Sequence, residues 1–239
     1  MKFRHVFLIF GAVIALAVAA AIARNVIAQN ELSRSLPQYE RNLETGALMV
    51  DGAEYYIISQ SNFTPVDMEK EPFGVEKDLS GKRSKDFLHW VNEPGGAWIY
   101  MDARIGLAGG LGFVFRRADA EIPTLDEAEI YAVVISSQAH PFPTQAREPH
   151  EIALLQGYAA SQDLVSFLRE SEPVTTEPWA FPEGEFLGSL QLHSGECPRM
   201  AFVYTIYRGP DGKINLHENF NHITLNDEFS NLIQEAISP

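Results

Sequence analysis

The sequence predicts an α+β fold: a largely antiparallel sheet with two late amphipathic helices, preceded by an N-terminal membrane-spanning or signal helix. Three observations carry that reading. Strand-like segments come in pairs separated by tight turn clusters, helical periodicity is confined to residues 149–170 and 227–237, and one uninterrupted apolar run opens the chain. Strands joined by tight turns pair antiparallel, because a parallel pair needs a crossover of a dozen residues or more.

The apolar run covers residues 6–23 and follows Lys2 and Arg4. Basic residues stay on the cytoplasmic side, so this order predicts the N-terminus inside and everything after Arg24 outside. Eighteen residues exceed an ordinary signal-peptide core and just reach the ~30 Å of a bilayer interior at about 1.5 Å per residue. Small residues at Ala19/Ala21, Ala21/Ala23 and Val26/Ala28 would suit a signal peptidase. Against cleavage, helical spacing continues through Val26, Ile27, Leu32 and Leu36 until Pro37, which would break a helix. Both outcomes stand: residues 1–28 are a signal peptide or a signal-anchor helix. Residues 29–46 then form a linker, polar or briefly helical over 38–46, and residues 47–239 a single extracytoplasmic α+β domain. The chain is inner-membrane-anchored with its N-terminus in the cytoplasm, or periplasmic or secreted if cleaved.

Beyond Gln29 the chain holds fifteen basic and thirty-two acidic residues, a formal net charge of −17. So acidic a surface repels phosphate backbones, which argues against nucleic acid as a partner. Apolar content of 46% is enough to build a core. A single cysteine, Cys197, rules out a disulfide framework within the chain.

Asp51-Gly52 between β-branched and aromatic flanks predicts a hairpin with a type I′ turn over 47–59. Residues 62–85, broken by Pro65, Pro72, Gly74 and Gly81, read as a long loop or flap. Residues 87–91 and 97–103 read as strands joined by a turn at 92–96, and Phe113 to Phe115 as another after the glycine-rich 106–112. Thr124 and Glu127 have the form of a capping box ahead of a β-branched run, which predicts one helical turn and then a strand at 130–135. Leu154, Leu155, Tyr158, Leu164, Val165 and Leu168 recur at helical spacing over 149–170, with Gly157 as the weak point. Residues 186–192 alternate as a strand. Residues 199–207 and 213–225 flank the turn 209–212, and 227–237 closes as an amphipathic helix.

The motifs of common chemistries are not met. Gly106, Gly109, Gly110 and Gly112 lack the Lys-Ser/Thr of a phosphate-binding loop, and Gly-x-Ser-x-Gly is absent. His150-Glu151 begins like a zinc helix, but Leu154 stands where the second histidine belongs. His217 and His222, five apart in one strand, would point to opposite faces. Cys197, four residues after His193, reads as a buried small hydrophobe rather than a nucleophile. No metal, cofactor or catalytic residue is assigned.

The strongest binding signal is the stretch 177–186, in which Trp179 and Phe181 lie between Pro178 and Pro182. Proline stiffens the segment, and stiff aromatics lose little entropy on docking, so Trp179 and Phe181 are candidate anchors for another protein. Phe142, between Pro141 and Pro143, repeats the theme. The expected function is a membrane-tethered or periplasmic, non-enzymatic binding or assembly module of the envelope. The alternative is an exported hydrolase with a His/carboxylate site assembled from distant residues.

Overall fold

The structure is a computed structural model that describes residues 2–58, 62–77, 83–103, 111–136, 151–154, 158–175, 184–218 and 221–237. The side chains of residues 2–13, 15, 83–85, 103, 111, 151–154 and 158–160 lie outside that description. In chain order, α1 (Lys2–Ser35) is followed by β1 (Gln38–Tyr39), β2 (Leu48–Val50), β3 (Ala53–Ile57) and β4 (Phe63–Pro65). Next come β5 (Gly74–Lys77), β6 (Arg83–Trp90), β7 (Trp98–Ala103) and β8 (Leu111–Arg117). The second half runs β9 (Ile130–Ser136), β10 (Glu151–Leu154), α2 (Tyr158–Glu170), β11 (Val174–Thr175) and β12 (Glu185–Ser194). It ends with β13 (Met200–Arg208), β14 (Ile214–Glu218), β15 (Asn221–Thr224) and α3 (Asp227–Ile237). The fold is mixed α+β and mostly sheet, with an N-terminal helix and two late ones.

The first sheet has the order β1-β5-β6-β7-β8-β3-β2, and only β1–β5 is parallel. Its ends meet. Residues just after β1 return to β2 through Met49 N–H to Glu40 C=O (2.9 Å), Asn42 N–H to Ala47 C=O (2.8 Å) and an Arg41–Leu48 bridge. The sheet thereby closes on itself as a barrel. Leu48, Val50, Tyr55, Leu88, Trp90, Ile99, Met101 and Phe115 fill it, with Phe73 stacked on Trp90 at 4.1 Å. Arg41 spans the seam, ion-paired to the buried Glu76 and with its guanidinium 5.3 Å from the Phe115 ring centre. Pairing and the aromatic face compensate the charge where water is scarce.

The second sheet has the order β10-β9-β12-β13-β14-β15-β11, antiparallel throughout, with β4 paired to the start of β13. One face carries Val133, Ile135, Leu190, Leu192, Phe202, Tyr204, Ile206, Leu216 and Ile223, and it shares a core with α2 and α3. The barrel joins the same core through Val91, Trp98, Tyr100 and Val114. Strand alternation makes this possible, because Ile99 and Met101 point into the barrel while Trp98 and Tyr100 point out to the second sheet. Phe63 ties the two, its ring 5.7 Å from Trp98 and 4.9 Å from Phe202. Gly112 leaves the room Tyr100 needs, since a Cβ there would lie 2.1 Å from the Tyr100 hydroxyl.

Several expectations hold. The β2–β3 turn has φ of +50° at Asp51 and +86° at Gly52, the signs a type I′ turn requires. Thr124 N–H reaches Glu127 Oε2 at 3.4 Å, and a single turn leads to β9. Helix α3 covers the residues its periodicity predicted.

Others need correction. The segment 62–85 contributes strands β4 and β5, and residues 38–39 are a barrel strand rather than linker or short helix. The helix expected over 149–170 begins only at Tyr158, and residues 151–154 are strand β10, paired to β9. Gly157 disfavours helix across the junction, and the open side of β9 offers backbone partners instead. The strand expected over 213–225 is two strands, β14 and β15, folded on each other. A membrane-spanning helix is not supported: among the described residues no helix is long and apolar enough to cross a membrane.

Candidate functional site

Trp179, Phe181 and Phe142 all lie outside the described residues, as do His140 and His150. The chain on either side of Trp179 and Phe181 is described. Before them, Val174 pairs with His222 and Thr175 with Asn221, and the Thr175 hydroxyl donates to Asn221 Oδ1 at 3.0 Å. After them, Glu185 pairs with Arg208 and Phe186 with Tyr207. Described strand pairing thus ends beside His222 and Asn221 before that segment and resumes beside Arg208 and Tyr207 after it.

Between those two points runs a row of four rings on one face of the second sheet. Phe186 meets Tyr207 edge-on at 5.7 Å, Tyr207 meets His217 edge-on at 5.3 Å, and His217 stacks on His222 at 5.4 Å. Each ring comes from a different strand, β12 to β15, and each is half-buried. Two local features build the row. A bulge between Phe186 and Gly188 turns Phe186 to the face it would otherwise miss, and Gly188, with φ +153°, tolerates that backbone. The β14–β15 hairpin sets His217 directly opposite His222, so the two lie on the same face rather than opposite ones. Reading 213–225 as one strand produced the error. Asn219 and Asn221, both turn formers, were the signal that would have corrected it.

The electrostatics differ on the two faces of β14. Burial, and then the neighbouring His222, push the His217 imidazole below its ordinary range, so it is neutral at neutral pH. On the other face, burial pushes the Glu218 carboxyl up, while Asn62 Nδ2 donates to Glu218 Oε2 and pulls it partly back. The Tyr204 phenol, buried nearby, is raised by burial and then by Glu218. His217 and Glu218 adjoin in sequence yet face opposite ways, so they do not supply a His–carboxylate pair sharing one cleft. Elsewhere on the ring face, Ser136, Ser189 and Gln191 are buried, with Gln191 Nε2 donating to Ser189 Oγ at 3.5 Å. Among the described residues no group of three or more His, Cys, Asp or Glu is placed to hold a metal ion.

His193 sits farther along the same sheet, its ring 6.1 Å from that of the exposed Tyr131. Cys197 is half-buried against the shared core. Burial raises its thiol, the Trp98 side chain beside it pulls the other way, and Glu196 adds to the rise. A protonated, packed thiol is a poor nucleophile.

The chain matches no protein-family model, no curated protein and no solved structure.

Cys197 should react slowly with a bulky thiol reagent until the domain is unfolded. Cys197→Ser should cost about 1–3 kcal/mol of stability, from a hydroxyl placed in a partly apolar site. Rapid labelling of the folded chain would show an accessible, activated thiol instead.

Proposed function

We propose that this chain is a non-enzymatic binding module, a membrane-tethered or periplasmic domain that docks another protein. The observation that carries the reading is the four-ring row of Phe186, Tyr207, His217 and His222, bounded by the paired strand ends on either side of the Trp179–Phe181 segment in sequence. Rings held by four paired strands are already ordered, so covering them costs little side-chain entropy. Aromatic side chains are also the commonest source of binding energy at protein interfaces. Trp179 and Phe181, stiffened by Pro178 and Pro182, would extend the same surface.

The sequence order of Lys2, Arg4 and the apolar run 6–23 favours an N-in orientation of the N-terminal segment. Its coupling to the domain is tight. Helix α1 ends at Ser35, β1 begins at Gln38, and Val75 N–H donates to the Pro37 carbonyl at 3.0 Å across the junction. A helix joined so closely to a closed barrel transmits orientation as well as position.

Export is checked with a reporter enzyme that is active only outside the cytosol, fused after Pro239. The fusion should be active, and an inactive reporter on a well-expressed chain would remove the extracytoplasmic assignment. N-terminal sequencing of the native protein then separates cleavage from anchoring.

Docking is checked with two double variants, Trp179→Ala with Phe181→Ala, and Phe186→Ala with Tyr207→Ala. Each should stay folded and lose about 2–4 kcal/mol of affinity for the partner that co-purifies with the unmodified chain, a roughly 30- to 1000-fold change. If these rings served the core instead, the same changes would cost about 3–5 kcal/mol of stability and lower the melting temperature sharply. Folded variants that keep the partner at full affinity would reject the proposal.

A further inference from the structure

We propose that His217 and His222 form a two-imidazole site for a borderline-soft divalent cation such as Zn²⁺. The pair is the one place on the described sheet face where two metal-ligating side chains are held in direct cross-strand register. The rings already stack at 5.4 Å with only 25° between their planes. Two nitrogens bound to one zinc ion at about 2.0–2.1 Å each lie no more than about 4 Å apart. Cross-strand partners sit about 4.5–5.5 Å apart at Cβ, a spacing from which side-chain rotation can bring two imidazole nitrogens onto one ion.

A second observation points to a ligand. Among the described residues, His222 Nδ1 is buried and has no hydrogen-bond partner. A buried ring nitrogen without a partner is costly, and coordination is one of the few ways to satisfy it. The strongly acidic surface beyond Gln29 raises the local concentration of cations around the domain.

Two imidazoles leave coordination positions open, which water fills in the isolated protein. The site is thus expected to bind reversibly rather than as a structural zinc. It would also place an electrophilic ion in the row of rings, where a ligand from a docked protein could complete the shell. That last role rests on the docking proposal, but the metal site itself does not.

The test uses the full chain in detergent, with Zn²⁺ alone as titrant. One zinc should bind per chain. His217→Gln and His222→Gln, each checked for an unchanged far-ultraviolet spectrum, should each weaken binding at least about tenfold, the loss seen even when an outer-shell partner is removed. His193→Gln should leave it unchanged. Cu²⁺ bound to the unmodified chain should show hyperfine coupling to two imidazole nitrogens, a readout that needs no variant to fold. No zinc binding, affinity retained in both folded His pair variants, or a copper spectrum lacking two nitrogens would overturn the site. None of these outcomes bears on whether the ring row docks a protein.

Discussion

Strand β7 is buried on both faces, and the rest of the architecture depends on it. Ile99 and Met101 close the barrel from inside, while Trp98 and Tyr100 press the barrel against the second sheet. A strand covered on one side alternates apolar and polar residues, but the run Trp98-Ile-Tyr-Met101 does not alternate, and both of its faces are apolar. An aromatic at such a position contributes about 3–5 kcal/mol. With the core side of the second sheet occupied by the barrel, α2 and α3, the ring-bearing side faces away from that core.

The ring row is therefore a consequence of packing. Register fixes which side of the sheet each residue takes, and a one-residue slip would reverse them all. Leu190 opposite Tyr204, Leu192 opposite Phe202 and Ile206 opposite Leu216 hold that register by burial. Tyr207 and His217, on the odd positions, are left to the other side. The bulge at Phe186 adds a fourth ring that strict alternation would have buried. The same hairpin that aligns His217 with His222 separates both from Glu218, whose carboxyl Asn62 satisfies on the core side.

Local chemistry was legible in the sequence and long-range pairing was not. The turn at Asp51-Gly52, the turn at Thr124, the strand pair flanking residues 92–96 and helix α3 each depend on residues within one window. Barrel closure depends on residues 38–42 meeting both β5 and β2, and no periodicity reports that. Leu154 fits a helix stripe and a strand equally, and only the presence of β9 decides between them. Of the candidate site, the sequence offered Trp179, Phe181 and Phe142 on composition alone, and these lie outside the described residues. It held the four rings too, but the missed β14–β15 turn scattered them over two faces.

The central claim is that the row of Phe186, Tyr207, His217 and His222 is where another protein docks. The most direct measurement places a photo-crosslinking phenylalanine analogue at position 207 of the full chain in living cells, and in a second strain at position 131. Tyr131 is an exposed aromatic on the same sheet, away from the row. The account predicts a discrete adduct to another protein from position 207 and none from position 131. No adduct at 207, or one at 131 of equal yield, would contradict it.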